Sequence, residues 1–117
     1  MFETTFDELE RVGCTRIVVI LDIGQNRVIG AGTMFIEQKF VHECGRCGHI
    51  EDIVVDNTYR GKNLGLRLIN VLRELASING CYKVILDCSD SNVKFYEKCG
   101  FKVKERQMVI YFHQPKL

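Results

Sequence analysis

No stretch of this sequence approaches the ~20 consecutive apolar residues that a membrane span needs. The start, MFETTFDELERV, also lacks the basic opening and apolar segment of a secretory signal. Neither a membrane anchor nor an export signal is expected, and a cytoplasmic location is. Proline occurs once, at Pro115, so no proline-rich linker divides the chain; low-complexity segments and internal repeats are missing too. An excess of either charge is absent: sixteen Lys and Arg against fifteen Asp and Glu leave a net charge of +1. This argues against a nucleic-acid partner bound through a general basic surface, so any basic site must be local.

The chain has 117 residues, 46% of them hydrophobic, enough for one domain spanning 1–117 with a modest core. Six cysteines (Cys14, Cys44, Cys47, Cys81, Cys88 and Cys99) make an even number. Without an export signal they are expected as free thiols rather than disulfides.

Residues 5–12 suit a short helix, with Thr5 and Glu8 spaced as a capping box. RIVVIL (16–21) and VIGAGTMFIEQKF (28–40), joined by turn chemistry, predict a hairpin. Gly30 and Gly32 inside its second strand suggest a bulge or the close approach of another backbone. VHECGRCG (41–48) reads as a loop and HIEDIVVD (49–56) as a strand.

Leu64, Leu68, Val71, Leu72 and Leu75 recur at helical spacing, with Asn79-Gly80 as a stop. CYKVILDC (81–88) reads as a central strand covered on both faces, SNVKFYEKCG (91–100) as a short helix, and FKVKERQMVIYF (101–112) as a last hairpin or bent strand pair. The order β-β-β-α-β-α-β-β predicts an α/β fold, a mixed twisted sheet flanked by helices.

Between the third strand and the long helix lies YRGKNLG (59–65). A helix starting near Asn63 offers about four unpaired backbone N–H groups and roughly half a positive charge. Gly61 and Gly65 clear space for an anion, Arg60 and Lys62 add charge, and Asn63 is a good N-cap type. An ordinary strand-to-helix turn with a solvated charge pair fits the same residues. The spacing matches neither the three-glycine dinucleotide fingerprint nor the phosphate loop ending in Gly-Lys-Ser/Thr.

HECGRCGH places His42, Cys44, Cys47 and His49 within eight residues. So short a loop strains to set four ligands tetrahedrally, because zinc sites usually draw their second pair from elsewhere in the chain. No metal is expected.

Taken together, GHIEDIVVDNTYRGKNLGLRLI (48–69) and GCYKVILDCSDSNVKFYEKCGF (80–101) resemble the GNAT superfamily of acyl-coenzyme A N-acyltransferases. Within it they resemble the glucosamine 6-phosphate N-acetyltransferase family, in register from about Val18 to Met108. The resemblance implies the GNAT fold and transfer of the acetyl group of acetyl-coenzyme A to the 2-amino group of glucosamine 6-phosphate. It implies that backbone N–H groups of Arg60, Gly61, Lys62, Asn63, Leu64 and Gly65 wrap the coenzyme diphosphate, that Ile53, Val54 and Val55 pair with the pantetheine amides, and that Asn92 also contacts the coenzyme. Lys39, His42, Glu51, Asp52, Tyr82, Lys83 and Asp87 match sugar-binding positions. Tyr96 matches the tyrosine facing the sulfur, with Asp87 and Glu51 as its catalytic companions.

Acyl transfer from a thioester needs such a group: the departing thiolate is helped by a proton donor, and a phenol of ordinary pKa about 10 is protonated at neutral pH. By the same resemblance the protein is a homodimer with shared active sites. Two departures are noted. The N-terminal part is short for the family, so Met1 to Cys14 must stand in for more. Tyr111 occupies the place of a phosphate-binding arginine, which shifts that duty to Lys39, Lys83 or Arg106. The alternatives are acetyl transfer to another small amine or a protein N-terminus, and a non-catalytic acyl-coenzyme A-binding subunit.

Overall fold

The computed structural model describes residues 1–59 and 61–113; the expectations placed on Arg60 and Pro115 lie outside the described residues. Two compact units, Met1–Leu86 and Asp87–Leu117, are recognised and are taken in turn.

The first unit opens with α1 (Phe2–Val12), which begins before Thr5, so the Thr5/Glu8 capping box does not form. Its cap position is Met1 and carries no side-chain hydrogen bond, while Gly13 ends the helix at φ 76°. The hairpin follows as β1 (Thr15–Asp22) and β2 (Arg27–Gln38). Next comes one turn, α2 (Val41–Cys44), in which His42, Glu43 and Cys44 all take positive φ. The Gln38 Nε2 donates to the Cys44 carbonyl at 2.6 Å, holding that unusual turn in place. Strand β3 (Arg46–Val55) starts three residues earlier than its Ile/Val-rich portion suggests. The cause is cross-strand pairing: Gln38 and Glu37 recruit Arg46 and Cys47 into the ladder.

A 3-10 turn (Asn57–Tyr59) leads towards α3 (Leu64–Ile78), and β4 (Cys81–Ile85) completes the unit. The sheet order is β1-β2-β3-β4, antiparallel except for the parallel β3/β4 pair. That parallel pair needs a crossover, and α3 supplies it. Among the described residues β4 is an edge strand, not the central covered strand expected from its apolar run, and it ends at Ile85 rather than Cys88.

Leu68, Ile69, Leu72 and Ala76 of α3 are buried, together with Met34, Ile36 and Ile50 of the sheet; Val71, expected on that face, is exposed. Burial of each such aliphatic side chain contributes about 1.5–3 kcal/mol. Gly32 makes the packing possible, for a Cβ there would meet Ile53 Cδ1 at 2.6 Å and Leu72 Cδ1 at 2.9 Å. Both register irregularities of β2 fall beside its glycines, at Ile20/Leu21 opposite Gly30 and at Ala31/Thr33 around Gly32. The α3 helix stops where the Asn79 N–H and Nδ2 both bond the Leu75 carbonyl and Gly80 turns at φ 77°.

The second unit holds a 3-10 turn (Asp90–Asn92) and α4 (Val93–Lys98), closed by Gly100 at φ 98° with the Phe101 N–H bonded to the Tyr96 carbonyl. Residues 101–112 form no strand, contrary to the hairpin their sequence predicts. A strand is stable only when paired, and this stretch has no ladder partner among the described residues. Met108, Ile110 and Phe112 are accordingly exposed.

Candidate active site

Pairing between β3 and β4 runs only from Arg46/Cys81 to His49/Ile85. Among the described residues, β3 continues from Ile50 to Val55 with β2 on one side alone, through Ala31↔Val54 and Gly30↔Val55. The other edge presents main-chain N–H and C=O groups of Ile53, Val54 and Val55, extended backbone of the kind that accepts an added amide-bearing strand.

A bulge sits at the head of this open edge. Three residues of β2, Ala31 to Thr33, span four of β3, Val54 to Glu51, and Asp52 takes φ 55°. Regular alternation would put Glu51 and Asp52 on opposite faces. The bulge breaks it: Ile50 and Ile53, three apart, both turn to the core, and Glu51 and Asp52 are both exposed. The re-aiming of side chains is what bulges do beside functional sites.

Past Val55 the chain is pinned by a small network. The Asp56 carboxylate accepts the Thr58 N–H at 2.9 Å, the Thr58 hydroxyl at 2.7 Å and Arg27 at 2.8 Å. The Tyr59 hydroxyl donates to Asp22, and Lys62 Nζ lies 5.4 Å from the centre of the Tyr59 ring. The Tyr59 hydrogen bond, followed by the Gln25 N–H, holds the Asp22 carboxyl below its ordinary range, and the same bond pushes the Tyr59 phenol up. Gly61 then turns at φ 86° and Asn63 at φ 57°.

Asn63 occupies the cap position in left-handed conformation without a side-chain cap bond. Its carbonyl accepts from the Arg67 N–H at 3.0 Å. The N–H groups of Leu64, Gly65 and Leu66 precede that first intrahelical bond, which leaves them free of helical partners. The same arrangement places positive potential there.

Four of the expected sugar contacts gather around the β2–β3 connection and the start of β4. The His42 and Tyr82 rings lie 4.3 Å apart, Lys83 sits beside Tyr82 at 5.7 Å from its ring centre, and the Lys39 N–H bonds the carbonyl of Gly45, a residue where a Cβ would meet the Tyr82 ring. Glu51 and Asp52 stand apart from these four, at the bulge. In the second unit Asp87 accepts from Gln107 Nε2 at 2.8 Å, and Asn92 Nδ2 donates to the Ser89 hydroxyl at 3.2 Å. Tyr96 is half-buried, edge-on to Phe95 and Phe101. Burial, reinforced by Cys88 and Cys99, raises its phenol pKa, so it is protonated at neutral pH.

The acetyltransferase (GNAT) family model matches residues 1–101. The chain belongs to the GNAT acetyltransferase family. It is 52% identical over 115 residues to glucosamine 6-phosphate N-acetyltransferase 1 of Dictyostelium discoideum, covering 97% of this chain and 73% of the relative. To the Arabidopsis thaliana enzyme of the same name it is 44% identical, covering 95% and 75%. The crystal structure of an Arabidopsis thaliana glucosamine-6-phosphate N-acetyltransferase superposes with a TM-score of 0.91, covering 96% of this chain and 77% of that one.

Within this GNAT chain the anchoring residues Asp22, Asp56 and Tyr59 were not singled out by the sequence, nor was Glu37, which pairs with Lys39 at 3.3 Å and His49 at 2.8 Å. Tyr59 and Asp22 are 37 positions apart, and no local pattern signals such a pair. An alternation check would have flagged Glu37, because an acid on a half-buried strand position needs a partner.

Proposed function

We propose that this chain transfers the acetyl group of acetyl-coenzyme A directly to the 2-amino group of glucosamine 6-phosphate, in a ternary complex; its relatives are named glucosamine 6-phosphate N-acetyltransferases. The observation that carries the reading is the open β3 edge running on to the uncapped start of α3. The pantetheine amides pair with Ile53, Val54 and Val55. The diphosphate takes the N–H groups of the turn, Gly61 to Gly65, extended by Leu66, with Lys62 and Arg60 supplying charge.

In the chemical step the neutral amine attacks the thioester carbonyl and the C–S bond of the tetrahedral adduct breaks. The nitrogen of the adduct loses its extra proton to solvent or a carboxylate, the departing sulfur takes a proton from Tyr96, and the resulting phenolate regains one from solvent. Glu51 and Asp87 orient the amine. Lys39, His42, Tyr82 and Lys83 contact the sugar and its phosphate, and Asp52, exposed beside Glu51, contacts the sugar rim.

A homodimer completes this reading. Its support is the exposed apolar run Met108–Phe112 and, among the described residues, the unpaired outer edge of β4; a second copy can satisfy each through strand addition. None of the six cysteines is in a disulfide, which suits a reducing, cytoplasmic setting. No described helix is long and apolar enough to cross a membrane.

Thiol release from acetyl-coenzyme A tests the function. Rapid release with glucosamine 6-phosphate, and much slower release with unphosphorylated glucosamine, is expected. Equal efficiency with both removes the phosphate-binding roles of the lysines. Release only with other amines, or coenzyme binding without release, selects the alternative activities.

A further inference from the structure

A second cluster of chemistry-bearing side chains lies on the sheet face opposite α3. Met34, Ile36 and Ile50 point to the helix, so Glu37, Cys47 and His49 point the other way. Glu37 and Cys47 stand directly opposite each other in the β2/β3 ladder, and His49 follows Cys47 by two residues on the same strand. One carboxylate oxygen, one thiol sulfur and one ring nitrogen lie within 4.8 Å of one another. The His49 Nε2 is already 2.8 Å from Glu37 Oε1.

This trio is not the loop quartet that the sequence offers. Neither His42 nor Cys44 belongs to it, and Glu37 comes from a neighbouring strand. The difference matters physically. Four ligands in an eight-residue loop must be ordered by the metal, whereas positions i and i+2 of one strand plus the facing position of the next are fixed by the ladder itself.

A thiolate, an imidazole and a carboxylate are the sulfur, nitrogen and oxygen donors that zinc accepts, and three protein ligands leave a fourth position for water. Magnesium and calcium favour all-oxygen sets and do not fit. Metal–ligand bonds of about 2.0–2.3 Å put tetrahedral donors roughly 3.3–3.8 Å apart, so separations near the 4.8 Å bound have to shorten by about 1 Å while the His49–Glu37 pair, at 2.8 Å, opens by about 0.5 Å, both a matter of side-chain torsions. One thiolate and one carboxylate neutralise a divalent ion, which lowers the cost of holding charge at a site whose cysteine is fully buried.

Two lysines oppose the ion. Lys39 Nζ is 3.3 Å from Glu37 and must leave that oxygen, and Lys83 pairs with Cys47 in the β3/β4 ladder. Burial raises the Cys47 thiol pKa, with Lys83 and Lys39 acting in the opposite sense; the ion therefore binds with release of the thiol proton.

We propose that Glu37, Cys47 and His49 form a zinc-binding site with water as the fourth ligand. The inference does not depend on the acetyl-transfer reading. Its test is titration of the intact reduced chain with Co2+ as a spectroscopic stand-in, followed by displacement with Zn2+. Expected are one Co2+ per chain, a near-ultraviolet thiolate-to-cobalt band, visible bands of tetrahedral intensity, and loss of all of these on adding Zn2+.

The band should vanish in Cys47→Ser, and His49→Gln should weaken binding by at least about tenfold. It should persist when the exposed Cys44 and Cys88 are both replaced by Ser. Absence of the band in the wild type, its survival in His49→Gln at unchanged affinity, or its loss with Cys44 and Cys88 overturns the site. Should circular dichroism show Cys47→Ser unfolded, His49→Gln at its half-buried position decides the matter alone.

Discussion

The Tyr59 hydroxyl donates a hydrogen bond to the Asp22 carboxylate, fastening the turn before α3 to the end of β1. In the proposed function that turn presents free amides in a fixed geometry, and its backbone passes through left-handed conformations at Gly61 and Asn63. A hydrogen bond from outside the turn limits the alternatives it can sample. Tyr59→Phe removes the donor and keeps the ring under Lys62. Its KM for acetyl-coenzyme A should rise by roughly threefold to tenfold, the range of one net hydrogen bond, while kcat stays near the wild-type value. Steady-state kinetics at saturating amino sugar reads the split.

Three carboxyls, Asp22, Glu37 and Asp56, are held below their ordinary range, chiefly by hydrogen bonds from Tyr59, His49 and Thr58 respectively. A depressed folded pKa contributes stability above the unfolded value of about 4, and that contribution is lost as the pH falls through the depressed value. Melting temperature should therefore drop on acidification below about pH 4. The double variant Asp22→Asn/Asp56→Asn should melt lower at neutral pH and show a shallower acid slope. Identical slopes would mean that these carboxyls play no part.

Tyr96→Phe keeps the edge-on packing with Phe95 and Phe101 but removes the proposed proton donor. Turnover should fall by roughly a hundredfold, the low end for general acid catalysis, with coenzyme affinity by calorimetry unchanged. Because its pKa is raised, the wild-type kcat should show no loss from this group up to about pH 10. Full activity of the variant would remove Tyr96 from the chemistry.

Gly32→Ala puts a methyl group where Ile53 and Leu72 already stand. Overpacking of this kind costs about 1–3 kcal/mol, and here it acts on the contact between α3 and the strand that carries the open edge. Urea unfolding should register the loss as a lower midpoint. An unchanged midpoint would show that the sheet and α3 shift apart freely.

The sequence was informative where the structure is local. The hairpin, α3 and its stop at Asn79-Gly80 follow from periodicity and turn chemistry, whereas Asn63, an N-cap type, holds the cap position without a side-chain bond. A bulge beside Gly32 was legible from the glycine itself; that the extra residue falls at Asp52 on the neighbouring strand was not, because it depends on the register of two strands brought together by folding. The pair Tyr59–Asp22 is hidden for the same reason. Residues 101–112 misled in the other direction: their apolar, β-branched composition states a preference for strand, and a preference without a ladder partner leaves them irregular.

The central claim is that the N–H groups of Leu64, Gly65 and Leu66, together with the free edge of Ile53 to Val55, hold acetyl-coenzyme A. Backbone amide chemical shifts followed by nuclear magnetic resonance during titration with the coenzyme address those groups one by one. The largest changes should fall on these six residues and on Gly61 to Asn63, saturating together. Saturable changes centred elsewhere, with these amides unmoved, would contradict the account.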